Sequence, residues 1–245
     1  GAGSTGDSNA THSIAFTGLV DVDKAISGYP ANASWCCPAL KGQKFISLGG
    51  GSAGDILTVP VLQAIESKLD SIVAAGYDGV VFDVEEVTGD SADTVPAFQA
   101  VFAQCQAKQL SVMVTMSHSA PYQTDTPSDA VELVKAFAKD TNVDYLSPQL
   151  YSSGSESAPQ FAETNTCVDA GCTWDLFQNT HAKFTPSIVE ESHYPPTINY
   201  FQANHSIDVH GYFVWKQKTT STTNRVDLKQ TQGLTRDVVD KAMTA

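Results

Sequence analysis

The sequence is short of positive charge. Fourteen Lys and Arg stand against 27 Asp and Glu, a formal net charge of −13 across 245 residues. Such a surface repels phosphate backbones and anionic headgroups, which excludes nucleic acid and membrane surfaces as partners. Neutral ligands, sugars among them, stay compatible. No apolar run approaches the roughly 20 residues that a bilayer span needs. Neither HExxH nor a pair of CxxC motifs occurs, so a metal site has no carrier, and no cofactor is expected. Gly49-Gly50-Gly51-Ser52 lacks the Lys-Ser/Thr of a nucleotide-binding loop. No repeat of fixed period runs through the chain.

What remains is an ordinary globular balance, 42% hydrophobic and 17% charged. The length suits one domain over residues 1–245 and a sizeable core. Five cysteines leave at least one thiol unpaired within the chain. Cys167 and Cys172 flank a short polar loop that a disulfide could close. Cys36 and Cys37 are adjacent and bond more easily to others than to each other. Cys105 sits in a helical stretch as an apolar thiol. Three sequons, at Asn9, Asn32 and Asn204, fit glycosylation acceptors. No leader is legible at Gly1, and the sequons favour a secreted protein whose leader has been removed.

Short apolar runs alternate with helix-like stretches. The runs are His12–Thr17, Lys44–Leu48, Gly79–Val84, Ser111–Met116, Val143–Ser147, Phe184–Ile188 and Gly211–Trp215. Helical spacing appears at Val59–Ala75, Val95–Lys108, Ser128–Asp140 and Pro196–Asn204, with a last helix at Leu234–Ala245 after a polar loop at Thr219–Asn224. Nearly continuous apolar strands between helices predict a parallel sheet covered on both faces. The fold expected is an α/β TIM-type (β/α)8 barrel; an open doubly wound sheet is the alternative. Seven strands are readable, one short of a full barrel. Either the first β/α unit is missing or distorted, or an irregular strand lies in Gly1–Asn9 or Asp21–Ile26.

The chemistry concentrates in Asp78-Gly79-Val80-Val81-Phe82-Asp83-Val84-Glu85-Glu86. An apolar strand resists carboxylates because a buried unpaired charge is costly. This one carries Asp83 and Glu85 at its C-terminal end, two apart and so on one face. In a β/α barrel that end holds the active site. Neighbouring carboxylates raise each other's proton affinity, so one can stay protonated and act as an acid. The plainer alternative puts both in a solvated turn that caps the next helix. Glu86 points to the other face, a solvated or helix-capping carboxylate. His118 reads as a surface loop residue that could approach the site. Glu190-Glu191 and Asp208–His210 read as loop and helix ends.

Residues 78–85 resemble the Asp-Gly-x-Asp-x-Asp-x-Glu strand of the family 18 glycoside hydrolases. Phe45–Gly51 resembles the Ser-x-Gly-Gly strand that precedes it in that family. Gln149-Leu150-Tyr151, Val114-Thr115-Met116, Ser13–Phe16 and Trp215 resemble the sixth, fifth, second and last strands of plant-type (class III) chitinases, in family order over residues 12–215. The resemblance implies hydrolysis of β-1,4-linked N-acetylglucosamine, in chitin or an N-glycan core, by substrate-assisted retaining catalysis. Glu85 would be the general acid. Asp83 would orient the acetamido N–H, and Tyr151 would hydrogen-bond the acetamido group. Gln149, Trp215, Met116, Phe16 and Gly49 would bind substrate, with Trp215 as the floor. Asp78 and Val81 would be structural. One departure stands out: the signature's middle Asp is Val81. That raises the alternative of a weak or inactive chitinase-like carbohydrate-binding or storage protein.

Overall fold

The computed structural model describes residues 10–29, 31, 42–51, 55–216 and 224–229. Their elements are β1 (His12–Phe16), α1 (Val22–Gly28), β2 (Gln43–Gly49), α2 (Val59–Glu66), α3 (Leu69–Ala74), β3 (Gly79–Asp83), α4 (Ser91–Ala107), β4 (Ser111–Ser117), α5 (Pro127–Lys139), β5 (Tyr145–Gln149), α6 (Asn165–Asp169), β6 (Lys183–Phe184), β7 (Ser187–Ile188), α7 (Tyr194–His205), β8 (Tyr212–Lys216) and β9 (Asn224–Lys229). The strands β1 to β5 pair in parallel in sequence order, β5 pairs with β6 and β7, and β7 pairs with β8. The ring closes because β9 runs antiparallel between β8 and β1. The chain is an α/β barrel of the TIM type with a distorted first unit: between β8 and β1, where a regular barrel has a parallel strand, stands the antiparallel β9.

Strands such as β1, β3, β4 and β8 form where the sequence is rich in β-branched and aromatic residues, and several helices carry a start signal. Thr58 caps α2 with its hydroxyl accepting from Val61 N at 3.4 Å, and Pro60 sits in the first turn. Thr126 and Asp129 form a reciprocal capping box at α5. The helix expected over 59–75 is two helices, broken at Ser67, whose hydroxyl donates to Ala64 O at 2.7 Å. One strand expected at 184–188 is split into β6 and β7 at Thr185-Pro186, since Pro186 has no N–H for the ladder. Asp21–Ile26 is not an irregular strand but a helix; Asp21 caps α1 by accepting from Lys24 N. The helix expected at Leu234–Ala245 lies outside the described residues, as do Gly1–Asn9, Cys36 and Cys37.

Alternation along the strands builds two cores. Outward residues such as Ile46, Leu48, Val80, Phe82, Val112, Val114, Met116 and Leu146 pack under the helices in one large cluster. There Phe82, Phe98, Phe102 and Phe137 meet edge to face, with ring centroids 5.0–6.5 Å apart. Inward residues Ile14, Phe45, Val81, Met113, Tyr145 and Phe213 fill the barrel, with Tyr151 and Trp215 above them. His12 closes the lower end: its Nε2 lies 3.0 Å from the Tyr145 hydroxyl and its Nδ1 2.8 Å from the Thr11 hydroxyl. Burial keeps that imidazole below its ordinary pKa, hence neutral. Cys167 and Cys172 form a disulfide across the end of α6, and Cys105 is a buried free thiol that burial pushes up to about 12.

Candidate active site

Parallel strands of a barrel all end on one side, so their C-terminal residues converge there. On β3 the inward residue changes from Val81 to Asp83 in one step of two. Asp83 sits in register with Gly49 and Thr115, and Thr115 with Ser147. Asp83 is 1% exposed. Its Oδ1 accepts from Gln149 Nε2 at 3.2 Å, and the same nitrogen donates to Glu85 Oε1 at 2.7 Å. One amide at the end of β5 therefore reaches past β4 and clamps both carboxylates, Asp83 at the end of β3 and Glu85 just beyond it.

Glu85 does not cap a helix. The chain beyond β3 is held by backbone bonds, Gln123 N donating to Glu85 O at 3.3 Å and Leu57 N to Glu86 O at 3.0 Å. The cap of α4 is Asp90, whose carboxylate accepts from Ala92 N. Glu86 likewise departs from the solvated role expected of it: it is half-buried and accepts a hydrogen bond from the Tyr122 hydroxyl.

Electrostatics in the mouth follow from burial. Burial first, then the Glu85 charge and then Asp55, raise the Asp83 carboxyl well above the usual Asp range. Burial also raises Glu85; the Gln149 hydrogen bond opposes the shift and the Glu86 charge adds to it. Asp55, 7% exposed, is raised by burial and by Glu86. The carboxylates of Asp83, Glu85 and Asp55 share a region in which removal from water favours their protonated forms. Among the described residues no three His, Cys, Asp or Glu are placed to hold a metal ion.

Aromatic rings stand beside the acids. Tyr151 stacks on Trp215 at 6.1 Å between centroids and 18° between planes, and Phe16 meets Trp215 edge-on at 4.9 Å. Burial and the charges of Asp83 and Glu85 hold the Tyr151 hydroxyl protonated, as a donor. The glycines serve the acids as well. At Gly49, with φ 99°, a Cβ would stand 2.5 Å from the Asp83 carbonyl oxygen. At Gly51 a Cβ would collide with Glu85 Oε2 and the Tyr122 hydroxyl. Gly49 thus packs against β3 itself, a different job from the substrate contact expected of it.

The structure brings together Asp83, Glu85, Gln149, Tyr151, Trp215 and Phe16. It does not bring Met116. That residue is fully buried in the outer core, because the inward positions of β4 are Met113, Thr115 and Ser117. Val81 lies in the apolar barrel filling directly before Asp83, and Asp78 accepts from Lys44 N at 2.8 Å at the strand's other end. Of the polar residues flanking Val81 and Asp83, Thr115 donates to Ser147 O at 2.7 Å and Ser47 Oγ accepts from Thr17 N at 2.9 Å; the side-chain partner of Asp83 is Gln149. Asp55 and Tyr122 carry no sequence signal; only tertiary structure brings their loops to β3.

No family model matches this chain, and no curated protein is similar to it in sequence. Solved structures of similar shape include the spore cortex-lytic enzyme SleL of Bacillus megaterium (14% identity, 77% of this chain, 50% of that one, TM-score 0.38). Another is a chitinase from Chromobacterium violaceum (11%, 90% and 77%, TM-score 0.39). A third is YdhD of Bacillus subtilis, named as a candidate sporulation-specific glycosylase (13%, 90% and 79%, TM-score 0.35). The chain spans half the length of the first.

Proposed function

We propose that the protein is a glycoside hydrolase that cleaves β-1,4-linked N-acetylglucosamine by substrate-assisted, retaining catalysis. The observation that carries this reading is the Asp83–Gln149–Glu85 clamp beside Tyr151 and Trp215 at the mouth of a β/α barrel. Glu85 is the general acid: partly open to water, with its proton affinity raised by burial, it donates to the glycosidic oxygen. The substrate's acetamido oxygen attacks the anomeric carbon, the bond to the leaving oxygen breaks, and the Glu85 carboxylate then takes a proton from the attacking water. Asp83 accepts from the acetamido N–H and offsets the positive charge of the cyclic intermediate. The Tyr151 hydroxyl donates to the acetamido oxygen, and Trp215 faces the C–H side of the ring. Because Val81 offers no hydrogen bond, Asp83 stays turned toward Gln149 and Glu85 throughout the cycle.

Incubation with chitin oligomers and with a high-mannose N-glycan, with product anomers followed by NMR, tests this. The expected result is β-anomer product from one of them and its near-complete loss in Glu85→Gln. Absence of turnover on both from pH 4 to 8 would remove the enzymatic reading. The apolar setting of Val81 favours a second reading, a chitinase-like sugar-binding or storage protein. Calorimetric binding of chitin oligomers without turnover supports that one. An extracellular setting is part of the proposal; the Cys167–Cys172 disulfide and the exposed Asn204 acceptor at the end of α7 support it.

A further inference from the structure

Just past Glu85 the chain carries another acid, which the reaction itself does not use. Glu86 is half-buried, and its backbone is fixed from two sides: its carbonyl accepts from Leu57 N at 3.0 Å, and it forms a parallel bridge with Gln123. Its side chain is fixed as well, because the Tyr122 hydroxyl donates to Oε1. Tyr122 stands at the rim of the mouth, 39% exposed, with its hydroxyl oxygen 3.4 Å from the Gly51 carbonyl oxygen. Gly51 also marks how near Glu85 comes. A Cβ there would meet both Glu85 Oε2 and the Tyr122 hydroxyl, the latter at 2.8 Å. Both oxygens therefore border the small space that Gly51 leaves open.

The two oxygens of Glu85 are not equivalent. Oε1 accepts from Gln149 Nε2 at 2.7 Å, so the acid proton belongs on Oε2, the oxygen on the Gly51 and Tyr122 side. The Tyr122 hydroxyl has one proton and gives it to Glu86, which suits an ionised Glu86. Among the described residues no Lys, Arg or His forms an ion pair with Glu86. Its charge therefore acts undiminished on the residue before it, where it adds to the effect of burial. The other titratable groups around Glu85 are Asp83 on β3, Tyr151 after β5, and Asp55 after β2, which acts on Asp83 and feels Glu86.

We propose that Glu86, fixed in place by Tyr122, is a positioning residue that keeps the acid proton on Oε2 of Glu85. The inference rests on the glycosidase reading and deepens it. The pair makes and breaks no bond; Glu86 supplies a charge and Tyr122 sets where that charge stands. Val81 brings no carboxylate to the task from inside the barrel, and Glu86 brings one from the loop side.

The test compares the parent with Glu86→Gln, which still accepts from Tyr122 but carries no charge, and with Tyr122→Phe, which keeps the charge and releases the side chain that bears it. Carbon-13 NMR follows the Glu85 carboxyl across pH 3–8, and kcat/KM on a chitin tetramer is measured over the same range. The expected result is a Glu85 titration moved to lower pH by Glu86→Gln, and less far by Tyr122→Phe. The basic limb of kcat/KM moves with it: Glu86→Gln loses about threefold at pH 7 relative to pH 5, with the change in kcat rather than KM. A merely structural pair would lower the melting temperature and leave both pH curves in place. If the parent turns over the tetramer and its Glu85 titration is the same in all three proteins, the proposal is overturned and the glycosidase reading stands. If the parent turns over no chitin, both fall together.

Discussion

One strand passes through two chemically opposite environments. Around Val81 the barrel is plugged by Ile14, Phe45, Met113, Tyr145 and Phe213, without a charge. Two residues later, on the same face, Asp83 is as deeply buried as Val81 yet is a carboxylate. The plug follows the ordinary logic of a core, since apolar side chains gain by leaving water. The mouth does not: each buried carboxyl there raises its proton affinity to avoid an unpaired charge. A fold that spends its lower half on packing and keeps paired acids in its upper half has separated stability from chemistry along one chain segment.

The largest effect that tests this division is catalytic. Glu85→Gln keeps the Gln149 neighbourhood and the shape of the side chain but removes the proton donor. Turnover of a chitin oligomer should fall about 10²–10⁴-fold with little change in KM. A variant as active as the parent would break the assignment of acid to Glu85.

Next comes the boundary itself. Val81→Asp moves a carboxylate from mouth to plug, where the surrounding side chains are apolar. Urea unfolding should show a loss of about 3 kcal/mol. An unchanged midpoint would mean that the plug tolerates acid and that the contrast with Asp83 is overstated. Phe213→Ala should cost about 3–5 kcal/mol through a cavity at the same level.

A smaller effect is the response to pH. Asp83 and Glu85 have folded values above their ordinary 3.8 and 4.5. A group of this kind adds stability that is complete below its unfolded value and is lost as pH rises through its folded value. The melting temperature should therefore decline by a few degrees from about pH 4.5 upward. Asp83→Asn with Glu85→Gln should flatten that decline. His12, lowered by burial, works in the opposite direction, its share of stability being lost as pH falls below its unfolded 6.5, so the double variant is the informative comparison.

The smallest is steric. Gly51→Ala puts a methyl group into Glu85 Oε2 and the Tyr122 hydroxyl at a loop position, so turnover should drop about tenfold while the melting temperature hardly moves.

The division was partly legible beforehand. Asp83 and Glu85 announce themselves because carboxylates interrupt an apolar strand, and period two places them on one face. The seven parallel strand positions appear within a residue or two of the apolar runs. Met116 was misplaced for a physical reason: strands buried on both faces are apolar at every position, so composition does not tell inward from outward. The closing strand β9 was invisible because Asn-Arg-Val-Asp-Leu-Lys reads as polar, and its pairing with β1 joins opposite ends of the chain. Asp55, Tyr122 and the pairing of Glu86 reach the mouth from loops that only the closed barrel brings together.

The account depends on protons retained in the mouth, and carbon-13 NMR of labelled Asp and Glu carboxyl groups reads that directly across pH 3–8. Asp83 and Glu85 should titrate above their ordinary 3.8 and 4.5, with the Asp83 signal moving when Glu85 is changed to Gln. Two independent titrations at ordinary carboxylate values, each indifferent to the other residue, would contradict it.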